Sequence, residues 1–338
     1  MAQKKIEEVT DDFWDNVVSD TNRELIEAFL DQQHLSDATL KQYTSALKIF
    51  AKWVYDFCFV KKDGEEKIIP ELKPRDALKY QNWLISKGLS SSAIKFKRSA
   101  VSSLCNFIEL YYNDEYPNFR NIYTKAVPTV AKNSVKEKVP LTMKEINKIA
   151  KELEKRQDWQ KLAYLWFTYS SGCRREESRQ LLVEVATYDK HVDKKGNAKD
   201  YYITHNIRAK GAGKEGKVRK FTFDQRAMDA IKKWVEYRSL QVNQTFGDTC
   251  PYLFVSKNKD DYRQVSPNTF NLWCKEFSKI LGGKPVHPHL FRSSRATNAV
   301  VEEGKDIKAV QKLLGHNSSQ TTEIYVVRDE SDDLDDLY

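Results

Sequence analysis

A glycine-rich turn between two short strand patterns interrupts a chain whose apolar residues otherwise recur at helical spacing. Residues 200–207 and 218–223 are typical of strands, and the turn from Lys210 to Gly216 joins them as a β-hairpin. Before and after the hairpin, apolar residues three and four positions apart predict amphipathic helices. The pattern therefore predicts a mainly α-helical protein with a small β-hairpin or sheet, of the α+β class.

The chain is long enough for two domains. It has 338 residues, of which 40% are hydrophobic, enough to fill two cores. Residues 21–124 predict a bundle of four or five helices, with Ser36 or Asp37 capping the second and the serines at 90–92 capping the fourth. Residues 1–20 form an N-terminal extension, and the lysine-rich residues 125–139 predict a linker.

The pattern over residues 140–328 predicts a second domain. Thr142 and Glu145 form a capping box that opens a helix at 143–154, and Arg174 begins a stretch that continues helically through residues 181 and 182. Asn317 offers an N-cap for a last helix that contains Tyr325. The remaining predicted elements are a helix through Trp166, a helix that carries His289 and Arg292, helices at 224–237, 267–281 and 306–314, and a short strand at 252–255.

Charge and cysteine usage narrow the function classes. The formal net charge is +8, and residues 329–338 form a tail with six acidic residues and no basic residue. Without this tail, the net charge of residues 1–328 is +14. A body this basic favours a polyanionic partner such as nucleic acid. The five cysteines lack metal or disulfide spacing, and no metal site or cofactor is expected. The chain shows no signal peptide and no apolar stretch of about 18 residues, so a cytoplasmic protein without membrane contact is expected.

Six residues of four types in the second domain suit the cleavage of a phosphodiester by transesterification. A phosphate under attack gains negative charge, which arginines can meet. A tyrosine nucleophile, with an ordinary pKa near 10, needs a cationic and proton-accepting neighbourhood, and the leaving oxygen needs an acid such as lysine or histidine. The candidates are Arg174, Lys210, His289, Arg292, His316 and Tyr325.

In this order the residues resemble the tyrosine recombinase, or phage integrase, family. The family pattern is Gly-x-Arg-x-x-Glu, a hairpin lysine, His-x-x-Arg, Leu-Gly-His and Tyr. The resemblance implies a phosphate clamp by Arg174 and Arg292, with Glu177 bracing Arg174 through a buried or half-buried ion pair. Arg175 adjoins Arg174, and Lys214 and Lys217 are rivals to Lys210.

The resemblance also implies roles for the remaining groups. Tyr325 is the nucleophile and forms a 3′-phosphotyrosyl link, so that religation needs neither ATP nor metal. His316 supports the phosphate charge, His289 accepts or relays the phenolic proton, and Lys210 protonates the departing 5′ hydroxyl. The expected function is site-specific DNA recombination, with integration and excision of a phage or transposon as the role.

Partners follow from the same resemblance. The helical domain, with its Ser-x-x-Thr-Leu-x-x-Tyr pattern at 36–43, resembles the core-binding domain of the family. The resemblance implies a homotetramer on double-stranded DNA with inverted-repeat core sites, in a nucleoid-associated protein, with an accessory DNA-bending or directionality factor. The candidate DNA contacts are Lys95, Lys97, Arg98, Lys132, Lys136 and Lys138.

Several alternative functions are also compatible with these residues. The helical domain could be a protein-binding bundle. The same chemistry serves type IB topoisomerases, which relax supercoils, and a resolvase or invertase role is also compatible. A catalytically silent DNA-binding protein is a further alternative. The acidic tail either docks on an adjacent protomer or discourages non-specific DNA binding.

Overall fold

The structure, a computed structural model, describes residues 6–32, 35–58, 66–123, 127–131, 139–209, 216–242, 250–258 and 261–315. Its contacts divide the chain into two compact units with a boundary between residues 136 and 137. We refer to described residues 6–131 as the amino-terminal unit and to described residues 139–315 as the carboxy-terminal unit. In these ranges, no helix combines the length and the apolar character needed to cross a bilayer.

The amino-terminal unit is helical in every regular element that the structure describes. Serine or threonine caps open several of its helices, because a hydroxyl oxygen can accept a backbone N–H that the first turn leaves unpaired. The predicted caps Ser36 and Ser90 are confirmed, since they accept N–H groups of Thr39 and Ala93. The helices are α1 (Asp11–Asn16), α2 (Asp20–Leu30), α3 (Asp37–Phe57), α4 (Pro74–Ser86) and α5 (Ser91–Tyr111), with a 3-10 turn at Ile69–Glu71.

The core of this unit is apolar and rich in rings. Phe50 and Tyr80 are fully buried, with ring centroids 5.0 Å apart in an edge-on arrangement, and Trp53 lies 5.1 Å from Tyr80. Such ring pairs contribute about 0.5–1.5 kcal/mol beyond the area they bury. One buried polar side chain, Asn22, bonds the chain that enters the 3-10 turn: it accepts from Ile69 N at 2.7 Å.

The carboxy-terminal unit has an α+β composition, which confirms the predicted fold class. Three small antiparallel pairs, β1 with β4, β2 with β3 and β5 with β6, accompany its helices. The helices are α6 (Met143–Lys155), α7 (Trp159–Ser171), α8 (Arg175–Arg179), α9 (Gln225–Val242), α10 (Pro267–Ile280), α11 (Pro288–Thr297) and α12 (Ile307–Leu314), with a 3-10 turn at Val183–Thr187 and a π turn at Asn298–Glu302. The strands are β1 (Tyr202–Ile203), β2 (Ile207–Ala209), β3 (Lys217–Arg219), β4 (Thr222–Phe223), β5 (Val255–Asn258) and β6 (Asp261–Gln264).

Helix α7 lies at the centre of this unit. Every residue from Leu162 to Ser171 is buried, as expected for a helix that is apolar on all sides. Tyr164 stacks on Phe270 of α10 with centroids 4.4 Å apart and meets Phe291 of α11 edge-on at 6.2 Å. The centre of the core therefore fixes the carboxyl end of α7, which leads directly to Arg174.

The predicted hairpin is present but consists of two short ladders. Tyr202 pairs with Phe223 in one ladder and Ile207 with Arg219 in the other. Between them, Thr204 N donates to Phe221 O, and the Thr204 hydroxyl accepts from Phe221 N, both at 2.9 Å. The Thr204 hydroxyl thus takes the place of a backbone carbonyl as the acceptor for Phe221 N–H. The hairpin is therefore divided into two separate ladders.

Two other local predictions were wrong in their boundaries. The strand predicted at 252–255 begins only at Val255 and pairs with β6, whereas Tyr252 makes a single bridge to Leu182. The helix predicted to run on through residues 181 and 182 ends at Arg179. Leu181 is fully buried, and its carbonyl accepts from Leu253 N at 2.7 Å. This contact with residue 253 replaces the continued helix.

Candidate active site

Arg174 is positioned by the turn that ends α7 and by the first turn of α8. Gly172 adopts a left-handed conformation, with φ of 59°, and ends α7, as glycine commonly does after a helix. Two residues later, Arg174 is the N-cap of α8, and Glu177 accepts its backbone N–H. The backbone of Arg174 is therefore fixed on both sides.

The ion pair predicted between Arg174 and Glu177 is present. Arg174 Nη1 lies 2.9 Å from Glu177 Oε1, and Glu177 is only 1% exposed while the Arg174 side chain is 30% exposed. Neighbouring Arg175 is more exposed and lies 3.5 Å from Glu176. A buried carboxylate that binds both backbone and guanidinium orients Arg174 toward the surface, and this favours Arg174 over Arg175 as the site residue.

Arg292 is fully buried on α11 and joins two chain turns. Its Nη1 donates to Gly172 O at 2.6 Å, and its Nη2 donates to Leu314 O at 2.7 Å. Because a buried charge is costly unless it is hydrogen-bonded, these carbonyls are part of what keeps the guanidinium in the core. The turn before Arg174 and the turn before residue 316 are thereby held by one side chain.

The two glycines at these turns allow the close approach. A Cβ added at Gly172 would lie 2.5 Å from Leu314 Cδ2. Gly315 ends α12 with φ of 67°, and a Cβ added there would overlap the guanidinium of Arg219. A side chain at Gly172 would displace Leu314, and one at Gly315 would displace the Arg219 guanidinium. The positive φ favours glycine at both positions.

His289 lies in the first turn of α11, three residues before Arg292. It is exposed, whereas Arg292 is buried on the same helix. Residues three apart share a helix face, so His289 lies at the surface end of the face whose inner end is Arg292. Lys217, a rival for the acid role, is exposed at the start of β3.

Several predicted site residues lie outside the described residues. These are Lys210 and its rival Lys214, His316, Tyr325 and the linker lysines Lys132, Lys136 and Lys138. Their roles stay predictions. The described chain comes within one residue of two of them, at Ala209 and Gly315.

The three other DNA-contact candidates lie on α5 of the amino-terminal unit, and they differ in exposure. Lys95 is exposed, and Lys97 is half-buried, with burial lowering its pKa. Arg98 donates to the carbonyls of Val127 and Pro128, at 3.1 and 2.7 Å, and lies 5.0 Å from the Tyr123 ring centroid. Arg98 thus holds residues 127–128 on α5, and DNA contact by all three residues stays a prediction.

The sequence reasoning missed two residues that connect the hairpin to this site. Arg219, at the end of β3, donates to Leu314 O at 2.7 Å and to Leu313 O at 2.8 Å. Gln180, just after α8, bonds both the N–H and the carbonyl of Arg208, at 3.0 and 2.9 Å. Neither residue has a local signal, because their partners are distant in sequence.

Burial and neighbouring charges determine which side chains near the site are charged at neutral pH. Burial, followed by the negative charge of Glu177, raises the pKa of the Cys173 thiol to about 12. This thiol is protonated at neutral pH and is a poor nucleophile. Burial lowers the pKa of Arg219, against the opposing effect of Glu177, but an arginine remains charged. Across the described ranges, no group of three or more His, Cys, Asp or Glu side chains is arranged to hold a metal ion.

The chain is similar to known recombinases. Residues 140–331 match the phage integrase family. The SPbeta prophage-derived recombinase-like protein YomM of Bacillus subtilis is 29% identical, over 99% of this chain and 95% of that protein. The tyrosine recombinase XerA of Pyrococcus furiosus is 31% identical, over 79% of this chain and 80% of that protein.

A solved structure shows the same fold. The Tn1549 transposon integrase, in complex with a circular intermediate DNA, superposes with a TM-score of 0.63. The similarity covers 92% of this chain and 96% of that one, at 16% sequence identity. At this identity the comparison establishes the shared fold.

Proposed function

Because this chain belongs to the phage integrase family of DNA strand-transferring recombinases, we propose that it cuts and rejoins DNA through a 3′-phosphotyrosyl intermediate on Tyr325. The enzyme is a tyrosine recombinase, and its reaction is site-specific recombination. Relaxation of the topoisomerase type and a silent DNA-binding role are not favoured.

One observation carries the assignment of the site. The Arg292 guanidinium binds Gly172 O and Leu314 O and so gathers the turns that precede Arg174 and His316. These turns are far apart in sequence, yet a phosphodiester under attack needs cations from both at one place.

The proposed step forms one bond and breaks another. The Tyr325 oxygen attacks the scissile phosphorus, its proton passes to His289, and the bond from phosphorus to the 5′ oxygen breaks. Lys210 protonates that oxygen, while Arg174, Arg292 and His316 stabilise the charge on the non-bridging oxygens. The phosphate remains linked to Tyr325, and a new 5′ hydroxyl reverses the step on another strand.

The proposed partner is duplex DNA with inverted-repeat core sites, bound by a homotetramer. We assign core-site recognition to residues 21–124, the basic linker to 125–139, catalysis to 140–328 and an acidic tail to 329–338. Contacts to phosphate by Lys95 and the linker lysines would make binding depend steeply on salt. Similarity to a prophage-derived and a transposon protein favours integration and excision of a mobile element, with an accessory factor for bending or direction.

Covalent trapping tests this proposal. On a nicked substrate that prevents religation, the wild-type chain should accumulate a protein–DNA adduct. Tyr325→Phe should bind the same DNA but form no adduct, because phenylalanine has no oxygen to attack phosphorus. Tyr237→Phe, at a partly exposed tyrosine of α9, is the matched control and should form the adduct normally. An adduct that persists in Tyr325→Phe would reject the assignment.

A further inference from the structure

Arg219 makes a two-pronged contact with the carboxyl end of α12. Its terminal nitrogens donate to the last two carbonyls of the helix, those of Leu313 and Leu314. These carbonyls have no partner inside a helix and carry partial negative charge. The guanidinium also lies 4.4 Å from the Phe221 ring centroid, so its plane is supported from the hairpin side.

The same side chain also lies against Gly315, the residue that ends α12. Gly315 N donates back to Gln311 O and Lys312 O, at 2.8 and 3.1 Å. Gly315 is left-handed, and its Cα faces the Arg219 guanidinium so closely that a Cβ would overlap it. Gly315 is therefore held on one side by helix hydrogen bonds and bounded on the other by Arg219.

Leu314 O is shared between two arginines. It accepts from Arg219 Nη1 and from Arg292 Nη2, each at 2.7 Å. Two like charges on one carbonyl repel each other, and the buried carboxylate of Glu177 acts on Arg219 with the opposite sign. Each arginine therefore contributes a separate contact that holds Leu314 O, and removing Arg219 would also remove the bond to Leu313 O.

We propose that Arg219 is a positioning residue for His316, acting through the end of α12 and not on DNA. The proposal rests on the role assigned to His316 under Proposed function. Both terminal nitrogens of Arg219 donate to carbonyls of α12, and the next residue after Gly315 is His316. Because Arg219 also ends β3, it connects this turn to the hairpin that carries the lysine candidates.

The test measures single-turnover cleavage at saturating DNA, with DNA affinity measured separately. Arg219→Gln should retain affinity and slow cleavage by about ten- to a hundredfold, the effect of a catalytic group displaced by about 1 Å. Arg219→Lys should be similarly slow, since it keeps the charge but loses the fork. Arg226→Gln is the matched control. Arg226 is comparable because it also lies over a ring, 4.7 Å from the Trp166 centroid. Its ion pair is with Asp224 instead of the end of α12, so Arg226→Gln should not slow cleavage.

A double variant distinguishes positioning from general structural support. If Arg219 acts through His316, Arg219→Gln should slow His316→Ala no further. Multiplied losses, or full activity in Arg219→Lys, would overturn the inference and leave the proposed function intact. If His316→Ala itself cleaved at the wild-type rate, the role of His316 in the proposed function would fail instead, and the inference with it.

A second variant perturbs the turn from its other side. Gly315→Ala places a methyl group against the Arg219 guanidinium and leaves the sequence of the hairpin unchanged. It should also retain DNA affinity, slow cleavage and be non-additive with His316→Ala. Cleavage at the wild-type rate in Gly315→Ala would show that the turn tolerates displacement, which contradicts the proposal even if the Arg219 variants fold poorly.

Discussion

The two units bury different kinds of polar groups. Among the described residues of the amino-terminal unit, the buried polar side chains are amides and one carboxylate, Asp76, and none is basic. The carboxy-terminal unit buries Glu177, Arg238 and Arg292. An ionised group inside a core is costly unless fully hydrogen-bonded. The described part of the unit with the candidate site maintains buried arginines, which the described part of the helical unit lacks.

The buried arginines show that charge alone does not mark a site. Arg238 donates to Tyr252 O at 2.6 Å and to Cys250 O at 2.8 Å, just as Arg292 donates to Gly172 O and Leu314 O. Both arginines bind backbone carbonyls, but those of Arg238 lie in one segment, whereas those of Arg292 lie in two separate turns. Only the two turns bound by Arg292 lead to candidate catalytic residues.

The largest expected effect separates these two arginines. Arg292→Met and Arg238→Met should each lower the free energy of unfolding by roughly 2–5 kcal/mol, because buried carbonyls lose their donors. Arg292→Met should in addition slow cleavage by about a hundredfold or more, from the loss of a cation near the phosphate. Urea unfolding and single-turnover cleavage per folded molecule measure the two quantities. Equal loss of cleavage in Arg238→Met would remove the distinction between the two arginines.

A smaller effect is expected from the amide core of the helical unit. Asn22 donates to Glu66 Oε1 at 2.7 Å and Lys67 O at 3.1 Å and accepts from Ile69 N. Asn22→Leu should lower the free energy of unfolding by roughly 2–4 kcal/mol, because these groups stay buried without a partner. Exposed Asn118→Leu, the control, should change it by at most about 0.5 kcal/mol.

The rate of the cleavage step should also distinguish the amino-terminal unit from the carboxy-terminal unit. Single-turnover cleavage at saturating DNA should be unchanged in Asn22→Leu, since this residue supports the helical unit only. A slower chemical step at full occupancy would show that the amino-terminal unit contributes to catalysis beyond binding, and the comparison between the units would need revision.

The smallest effect concerns a partly exposed ion pair in the carboxy-terminal unit. Burial opposes the charge of Glu145, but hydrogen bonds from Lys284 and Thr142 outweigh it and lower the pKa of this carboxyl from its ordinary 4.5. The stabilisation is therefore present above about pH 4.5 and lost as pH falls through the lowered pKa of the folded state. Glu145→Gln should lower stability by about 1 kcal/mol at pH 7, and its Tm should approach that of wild type at pH 3. A Tm difference that widens on acidification would contradict this.

Local structure was predictable wherever its cause is local. The capping box of Thr142 and Glu145 and the cap of α3 at Ser36 follow from residues within one turn, and both are present. Helix α8 was predicted too long because apolar Leu181 and Leu182 continue its pattern. Their actual partners lie near residue 252, and a contact 70 residues away leaves no local periodicity.

For the site, the sequence by itself determined the residue types, their order and the family, because the chemistry of phosphodiester cleavage demands those types. The tertiary structure alone decided how some of them are held. Arg292 meets Gly172 across 120 positions, and Arg219 meets Leu314 across 95. Such pairs form only when the core brings helix ends together, since a hydrogen bond requires contact within about 3 Å and a sequence records separation along the chain, not distance in space.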